Sequence, residues 1–462
     1  MRKTVLLLVL ILLVLIAGFV YQVMYNIIGG PKLYPTTYIS LAGTPKAINF
    51  AQGGKYLYVT HGNNLFSKIN LSNNRVVSTI VLNGAFAFES QPITLGGNTY
   101  VSTALKNYTL LVWNNGTVVK LQGVNLSNWE RTNHFSGEVE TVWTLSNVFV
   151  VNDTSDTVVG AAQVPGYVEE MIPGKGNKFI YILSLNQTGF NGTLGIGTYG
   201  KSFFTVLDTQ TNKVTATFLV GEPGEFGSIT DHMFLDPNGN IYLNGINQTY
   251  IFNTSTNAFT EGTHTNSFTI TGSPDGKYIY MTPNLGQVLY IINASTNKIV
   301  KQVPFENSAI LSITVSQSGK YIYVSRWEQN VTVILNATSE SVVKEIKINN
   351  PFGVSFSSNP KYAYIWSGGI TSADVLFNTI TNNEVAHFVV PLSAQSLTAD
   401  PFYYQNGNYS YDMSLGNRIL VYNSNPNYII FLTLLNYALA VVGLILIAFV
   451  SVVILRQNRK FG

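Results

Sequence analysis

The chain has 462 residues, of which 11% are charged and 13% are aromatic, and it contains no cysteine. The lack of cysteine excludes a thiol nucleophile and a thiolate metal site, and the aromatic content argues against disorder. Five of the 26 Lys and Arg lie outside residues 31–455, whereas all 23 Asp and Glu lie within, so this middle part carries 21 − 23 = −2. It presents no basic tract for nucleic acid.

The first predicted element is an apolar segment at the N-terminus. Residues 5–20 are uninterrupted apolar residues after Arg2 and Lys3, and the run extends to about Met24. This length matches the roughly 20 residues that a helix needs to cross a bilayer, and the two basic residues predict a cytoplasmic start. A cleaved signal peptide begins in the same way, but no Ala-x-Ala site follows. We predict an uncleaved transmembrane anchor over residues 1–28, with a cleaved signal as the alternative.

The long middle of the chain repeats a pattern of short strands. Its two most regular copies read S-P-D-G-K-Y-I-Y-M from Ser273 and S-Q-S-G-K-Y-I-Y-V from Ser316, and two further strand-like runs follow each. Gly276 and Gly319 supply the positive φ that a tight hairpin requires. Spacings near 40 residues with about four strands each predict propeller blades. Further units begin near Lys55, Asn98, Lys178, Asn240 and Lys361, with a degenerate unit near Glu140.

The two ends of this repetitive region complement each other. Residues 37–42 read as the outermost strand of a blade whose other strands are missing, and residues 394–422 read as inner strands without an outer one. Pairing them would close the ring and remove exposed edges, and it would bring the two chain ends together. We therefore predict an all-β fold, a β-propeller ectodomain over residues 36–424. It has seven to nine four-stranded blades, eight being the favoured count, and is closed by the N-terminal strand.

A second apolar segment follows the propeller. Residues 428–455 are apolar except for Thr433, Asn436 and Ser451, and the basic sequence R-Q-N-R-K comes next. The length predicts a transmembrane helix over 428–455, and the positive charge predicts a cytoplasmic tail over 456–462. With the N-terminal segment uncleaved, both termini are cytoplasmic and the propeller lies outside the cell membrane.

The repeat G-K-Y-I-Y-V, followed by a polar loop, V-x-V-I-L-N and V-V-K-x-I, resembles the YVTN-type β-propeller repeats of archaeal and bacterial surface-layer proteins. The resemblance is clearest at residues 56–60, 278–303 and 321–346 and spans most of 38–391, but it is lost over 123–166. It implies a cell-surface propeller without specifying a ligand or a reaction. No W-D dipeptide occurs, so the WD40 class is disfavoured.

One motif imitates a nucleotide site. Residues 195–202, G-I-G-T-Y-G-K-S, match both G-x-x-x-x-G-K-[ST] and G-x-G-x-x-G. A phosphate cradle needs a helix after the glycines, whereas the following F-F-T-V-L-D reads as a strand. We interpret the motif as part of a Gly-rich loop over residues 185–201, inserted between two blade strands. Long loops on rigid scaffolds often bind partners, so this loop is a candidate binding segment.

The predicted extracellular region contains thirteen Asn-x-Ser/Thr sequons. The composition alone would supply several of them, but the predicted topology exposes all of them to glycosylation. The candidates for glycosylation are Asn70, Asn107, Asn115, Asn125, Asn152, Asn186, Asn191, Asn247, Asn253, Asn293, Asn330, Asn336 and Asn408.

No residue pattern predicts catalysis, a cofactor or a metal. The histidines lack metal-ligand spacing: they are His61, His134, His232, His264 and His387. Asp236 opens a sequence that resembles a calcium loop but lacks the required Gly and closing Glu, so we predict a hairpin turn there. Paired carboxylates at Glu169 and Glu170, or at Glu222 and Glu225, are better explained as solvated loop charges.

The sequence therefore predicts a noncatalytic extracellular glycoprotein that acts in the cell envelope or in adhesion. Its expected partners are other envelope or membrane proteins, including copies of itself. The alternative is a binding or accessory subunit of a membrane complex, in which Asn436 would meet a polar group of another helix. A third hypothesis is an extracellular hydrolase or lyase that acts at the propeller channel. Fold alone does not choose among them.

Overall fold

A computed structural model describes residues 31–459, apart from residues 63, 85–89, 114–117, 122–136, 192–195, 222–232, 246–247, 264–266, 268, 284–285, 306–308, 368–372, 391–404 and 415–416. The described residues form eight antiparallel sheets and one long helix. The sheets are the four-stranded blades of a β-propeller, which confirms the predicted fold class and the favoured count of eight. The anchor predicted over residues 1–28 lies outside the described residues.

The first four blades are numbered in chain order. Blade one comprises β2 (Pro45–Ala51), β3 (Tyr56–His61), β4 (Leu65–Asn70) and β5 (Arg75–Val81). Blade two comprises β6 (Ile93–Leu95), β7 (Asn98–Trp113), β9 (Gly137–Asn152) and β10 (Thr157–Pro165), with β8 (Val118–Leu121) added beside β7. Blade three comprises β11 (Tyr167–Pro173), β12 (Phe179–Asn191), β13 (Ile196–Asp208) and β14 (Lys213–Val220), with a 3-10 turn at Lys175–Asn177. Blade four comprises β15 (Met233–Leu235), β16 (Asn240–Asn244), β17 (Thr249–Asn253) and β18 (Ala258–Thr263).

The remaining blades follow the same plan. Blade five comprises β19 (Thr269–Gly272), β20 (Tyr278–Thr282), β21 (Val288–Asn293) and β22 (Lys298–Pro304). Blade six comprises β23 (Ser312–Val315), β24 (Tyr321–Arg326), β25 (Val331–Asn336) and β26 (Val342–Lys347). Blade seven comprises β27 (Pro351–Phe356), β28 (Tyr362–Ser367), β29 (Ala373–Asn378) and β30 (Glu384–Val389). Blade eight comprises β31 (Gln405–Asn406), β32 (Tyr409–Ser414), β33 (Arg418–Asn423) and, from the start of the chain, β1 (Thr37–Ser40).

The composite eighth blade closes the ring, as predicted. β1 runs antiparallel to β33, with Thr37 opposite Val421 and Ser40 opposite Arg418. The pairing of the first described strand with the last completes blade eight, so the ring is closed and its outer edges are the fourth strands. Those fourth strands form the perimeter, because β5 is mostly exposed whereas β3 and β4 are buried along most of their length.

The degenerate unit predicted near Glu140 is wrong. β9 is the third strand of blade two, and it pairs with β7 from Asn98↔Asn152 out to Trp113↔Gly137. The residues around Glu140 therefore extend an existing blade instead of starting a new one. Seven complete units and the composite blade make up the eight.

The two faces of the ring carry different turns. Neighbouring strands of a blade are antiparallel and mostly consecutive in the chain, so the first-to-second and third-to-fourth turns lie at the same end of each sheet. Around the ring these turns form one face, which we call the turn face. The second-to-third turns and the connections between blades form the opposite face. The positive φ predicted for Gly276 and Gly319 on the turn face is confirmed, at 70° each.

A buried tyrosine connects each blade to its neighbour. The third residue of the second strand is tyrosine in all eight blades, and each of these side chains is fully buried: Tyr58, Tyr100, Tyr181, Tyr242, Tyr280, Tyr323, Tyr364 and Tyr411. We call this set the blade tyrosines. Their rings fill the space between sheets, where each contributes about 2 kcal/mol of apolar burial.

Several blade tyrosines also donate a hydrogen bond to the third-to-fourth turn of the next blade. Tyr58 donates to Asp153 Oδ1 at 3.0 Å, and Tyr100 donates to Asn212 Oδ1 at 3.0 Å. Tyr242 donates to Asn297 Oδ1 at 3.2 Å. Burial raises the pKa of Tyr280 to about 12, as it raises the pKa of the other blade tyrosines, so the phenols stay protonated and remain donors.

The last tyrosine contact fixes the C-terminal helix. Tyr364 of blade seven donates to the backbone oxygen of Ser424, which precedes helix α1 (Pro426–Arg459). The described part of the chain has one helix that is long and apolar enough to cross a membrane, over Pro426–Val452. Its start lies two residues before the predicted position 428.

Replacing Tyr58 with Phe should lower the free energy of unfolding by about 1–3 kcal/mol, because Asp153 loses a buried donor. Tyr323→Phe is the matched control, because the Tyr323 hydroxyl is buried without a hydrogen-bond partner among the described residues. The melting temperature of the detergent-solubilised chain measures both changes. Equal losses in the two variants would show that the hydroxyl contact to the next blade contributes nothing.

Candidate functional site

The third-to-fourth turns, where several predicted glycosylation sites lie, share one construction. In blade five, Asn293 Oδ1 accepts hydrogen bonds from the backbone N–H groups of Ser295 and Thr296, both at 3.0 Å, and Asn297 has φ +53°. This Asx turn needs a short side chain with an acceptor oxygen at its first position. The residues at that position in the other complete blades are Asn70, Asn152, Asp208, Asn253, Asn336 and Asn378.

Five of the thirteen sequons coincide with this turn: Asn70, Asn152, Asn253, Asn293 and Asn336. The hydroxyl residue of the sequon belongs to the same turn, and Ser295 Oγ donates to Asn293 Oδ1 at 2.7 Å. Blade three makes equivalent bonds with Asp208, which no glycosylation machinery modifies, and blade seven makes them with Asn378 without a sequon. The turn geometry therefore explains these five sequons without glycosylation, which stays a prediction.

The other sequons occupy varied places. Asn330 has φ +53° in a second-to-third turn and accepts from the N–H of Asn350 at 2.9 Å. Asn408 is exposed between β31 and β32. Asn107, Asn186 and Asn191 lie within strands β7 and β12. The remaining three, Asn115, Asn125 and Asn247, lie outside the described residues.

Two of the turn sequons border a polar groove on the turn face. The groove lies between blades four and five, has a volume of about 520 Å³, and is lined by amide side chains that include Asn253 and Asn293. Tyr278 also lines the groove. A glycan attached to either asparagine would therefore start inside this groove.

Asn293→Asp should preserve the fold while removing the amide needed for glycosylation, because a carboxylate accepts the same two N–H bonds, as Asp208 does. Asn293→Gln should lower the free energy of unfolding by about 1 kcal/mol, because its longer side chain cannot form the Asx turn. Melting temperature measures stability, and intact mass measures glycosylation. A glycan at this site would be lost in both variants, so a mass change without the stability difference would contradict the turn role.

The junction between ring and helix reuses the turn geometry. Asn423 ends the third strand of blade eight, where the other blades have their Asx residue, and its Oδ1 accepts from the N–H of Asn425 at 3.0 Å. The chain then enters α1 instead of forming a hairpin. Ile429 is 1% exposed and packs in a cluster with Leu33 and Phe388. The helix is therefore attached to the ring at the turn face by a short, packed connection.

Two adjacent blades carry long hairpins on the opposite face. The pairing of β9 with the fourth strand ends at Leu145, but its pairing with β7 continues to Gly137. In blade three, β12 and β13 stay paired out to Asn191↔Ile196, beyond the last residues paired with β11 and β14. We call these two extensions the arms. They rise from the second-to-third turns, away from the face that carries the helix.

The G-x-x-x-x-G-K-S pattern lies in the second arm. Residues 196–202 belong to β13, and the strand continues to Asp208 without a helix. The arrangement therefore lacks the helix N-terminus that a phosphate cradle needs. The predicted Gly-rich loop over 185–201 is wrong in one respect: most of it forms the paired ends of two strands, because the residues on both sides continue the blade register.

The described carboxylates singled out from the sequence serve the fold. The prediction of solvated loop charges is wrong for Glu169 and Glu170, because both lie in the innermost strand of blade three, where Glu169 is buried and Glu170 accepts from the N–H of Met233 in blade four at 2.8 Å. Asp236 accepts from the N–H of Asn240 at 2.8 Å and closes the hairpin between β15 and β16. Glu222 and Glu225 lie outside the described residues. Among the described residues, no group of three His, Asp or Glu is placed to hold a metal ion.

Two of the five histidines are described, and they differ in environment. His61 is fully buried in blade one with Nε2 at 2.7 Å from Ser67 Oγ, whereas His387 lies at the perimeter, 2.8 Å from Glu384. Burial lowers the pKa of His61 from its ordinary 6.5 to about 4. The other three, His134, His232 and His264, lie outside the described residues.

Ring stability should fall as pH drops from about 6.5 to about 4, because the unfolded chain binds a proton at His61 that the folded ring does not. The shift corresponds to at most about 3 kcal/mol. His61→Gln should flatten this part of the pH profile of melting temperature, while His387→Gln should leave it unchanged. An unchanged slope in the His61 variant would mean that other groups cause the loss.

A comparison with known protein families and with characterised proteins found no match to this chain.

Proposed function

We propose that the chain is a noncatalytic, membrane-anchored propeller of the YVTN surface-layer kind, which acts outside the cell as an envelope or adhesion protein. The observation that carries this proposal is the junction at Ser424. A helix with the length and apolarity of a membrane span starts directly from the ring, and Tyr364 and Ile429 hold its first turns. A ring attached in this way would stand at the membrane surface.

Charge supports an extracytoplasmic ring. The sequence after the apolar span contains Arg456, Arg459 and Lys460 and no acidic residue, whereas residues 31–455 carry 21 − 23 = −2. Basic residues that flank a span favour the cytoplasmic side. The tail would then be inside and the propeller outside.

The proposal that the chain is noncatalytic is supported by the structural role of its buried carboxylates. Buried carboxylates such as Asp208 and Asp236 accept hydrogen bonds from the backbone N–H groups of their own turns. Groups that are saturated by structural donors are poor candidates for acid–base chemistry, because their hydrogen bonds favour one ionisation state.

A second candidate function is that of an accessory subunit of a membrane complex. The arms favour it, since they extend β7, β9, β12 and β13 well past the ring on the face away from the helix. Such extensions on a rigid ring are typical of partner recognition.

The absence of cysteine allows a direct test of topology. In intact cells, a membrane-impermeant maleimide should label Gln329→Cys, which lies in an exposed turn of the ring, but should label Gly462→Cys only after lysis. Purification of the same cells in mild detergent then reports on partners. A protein retained by the full chain and lost when residues 187–199 are replaced by an Asn-Gly turn would support the accessory-subunit function.

The opposite labelling pattern would contradict an extracellular ring. A chain recovered in the soluble fraction without detergent would contradict the membrane anchor itself.

A further inference from the structure

The turn face carries a repeated cation. The residue three positions before the blade tyrosine, in the first-to-second turn, is an exposed lysine in five of the eight blades: Lys55, Lys178, Lys277, Lys320 and Lys361. In the other three blades this position holds Gly97, Gly239 and Asn408, so no blade has a carboxylate there.

A second set of cations lies beside the first. The fourth strand starts with an exposed basic residue in three blades, at Arg75, Lys213 and Lys298. Because both turn types lie on the turn face, these side chains extend the lysine positions outward from the ring. Of the fourth-strand starts, only Glu384 is acidic, and it is paired with His387 at 2.8 Å.

The acidic groups of this face are engaged within the ring. Asp153, Asp208 and Asp236 are buried, and Asp156 pairs with the buried Lys68 at 2.9 Å. Glu340 pairs with Lys301. The described turns thus leave few carboxylates to neutralise the lysines.

One exposed carboxylate does oppose a lysine. Asp275 pairs with Lys277 at 3.1 Å, and hydrogen bonds from Ser273 and Lys277 lower the pKa of Asp275 to about 2, so it stays ionised. Lys55, Lys320 and Lys361, in contrast, have no carboxylate partner among the described residues. Each ammonium group lies 5.0–5.5 Å from the ring centroid of the tyrosine that directly follows the lysine in the chain, which is not the blade tyrosine: Tyr56, Tyr321 and Tyr362.

The basic face is a local property. Residues 31–455 as a whole contain 21 basic and 23 acidic residues, a net charge of 21 − 23 = −2. A general excess of basic residues therefore does not explain the lysines of the turn face. The repeat places the lysines on the turn face and ties the nearby carboxylates to the fold.

The helix leaves the ring from this same face. Only Ser424 and Asn425 separate β33 from α1, and the described apolar contacts between helix and ring end at Leu432. The 20 residues from Thr433 to Val452 remain for the bilayer, which needs about 20. The lipid headgroups would therefore begin about two helical turns along α1 from its junction with the ring.

We propose that the turn face is a lipid-binding surface, on which the repeated lysines contact the phosphate groups of anionic lipids in the bilayer that holds α1. This inference rests on the proposed anchoring and adds to it: the helix tethers the ring, and the lysines set its orientation. Lysine suits this role because its flexible, strongly hydrated ammonium group contacts phosphates as a point charge.

The test uses the full chain in nanodiscs with a headgroup-attached energy-transfer acceptor. A donor dye is placed in blade six, either on the turn face at Gln317→Cys or on the opposite face at Gln329→Cys. In discs with about one third phosphatidylglycerol, transfer from the turn-face label should exceed transfer from the other label. The difference should shrink in pure phosphatidylcholine and in about 1 M NaCl, where the Debye length is about 3 Å.

Matched charge variants test the residues. The double variant Lys320→Gln with Lys361→Gln should weaken the contact between the turn face and the lipid. The ratio of rings whose turn face contacts lipid to rings whose turn face does not should fall by about fivefold for each lysine removed. Lys347→Gln with Arg418→Gln removes the same charge from exposed positions on the opposite face and should have no effect. Unchanged melting temperatures would show that both variants stay folded.

The outcomes separate this inference from the proposed function. Equal transfer in neutral and anionic discs, with the chain still in the discs, would overturn the lipid contact and leave the anchor intact. A chain that does not enter discs would contradict the anchor. Salt-sensitive binding to an acidic protein, without any response to lipid, would make the turn face a protein-binding surface and overturn the inference.

Discussion

The blade tyrosine is the contact on which the rest of this molecule depends. It lies at the third residue of each second strand, fills the space between sheets, and in several blades reaches the third-to-fourth turn of its neighbour. A ring made of such contacts is complete only when the last blade meets the first, which requires the pairing of β1 with β33. Each interface between blades is then packed by the apolar ring of a blade tyrosine. Where the hydroxyl of that tyrosine donates a hydrogen bond, it also fixes the position of one blade relative to the next.

The same contact links the ring to the helix. At blade eight the tyrosine of the preceding blade meets Ser424, where a hairpin would otherwise begin, and the chain leaves as α1. The start of the helix is therefore fixed at the turn face, because no flexible linker separates it from the ring. In a membrane, this would hold one face of the ring near the lipid and present the arms on the other.

Repetition also produces patterns that imitate functional motifs. An Asn-x-Ser/Thr sequence is a glycosylation signal, but it is equally the sequence of the Asx turn at Asn293 and its counterparts. Residues 195–202 match a phosphate loop, but residues 196–202 lie in strand β13. In each case the secondary structure around the motif determines its role. An Asx turn and a phosphate-binding loop both depend on the direction in which backbone N–H groups point.

The strand pattern, the fold class, the closure and the C-terminal apolar helix could all be predicted from the sequence, because they follow from local periodicity and length. The sequence predicted a range of seven to nine blades, because the segment near Glu140 has strand-like composition and could not be assigned to a neighbouring blade. Three features could be read only from the folded chain: β9 belongs to blade two, the arms extend paired strands, and the lysines share a face with the start of the helix. Those features depend on which distant segments pair across the sheets, and local periodicity carries no information about such partners.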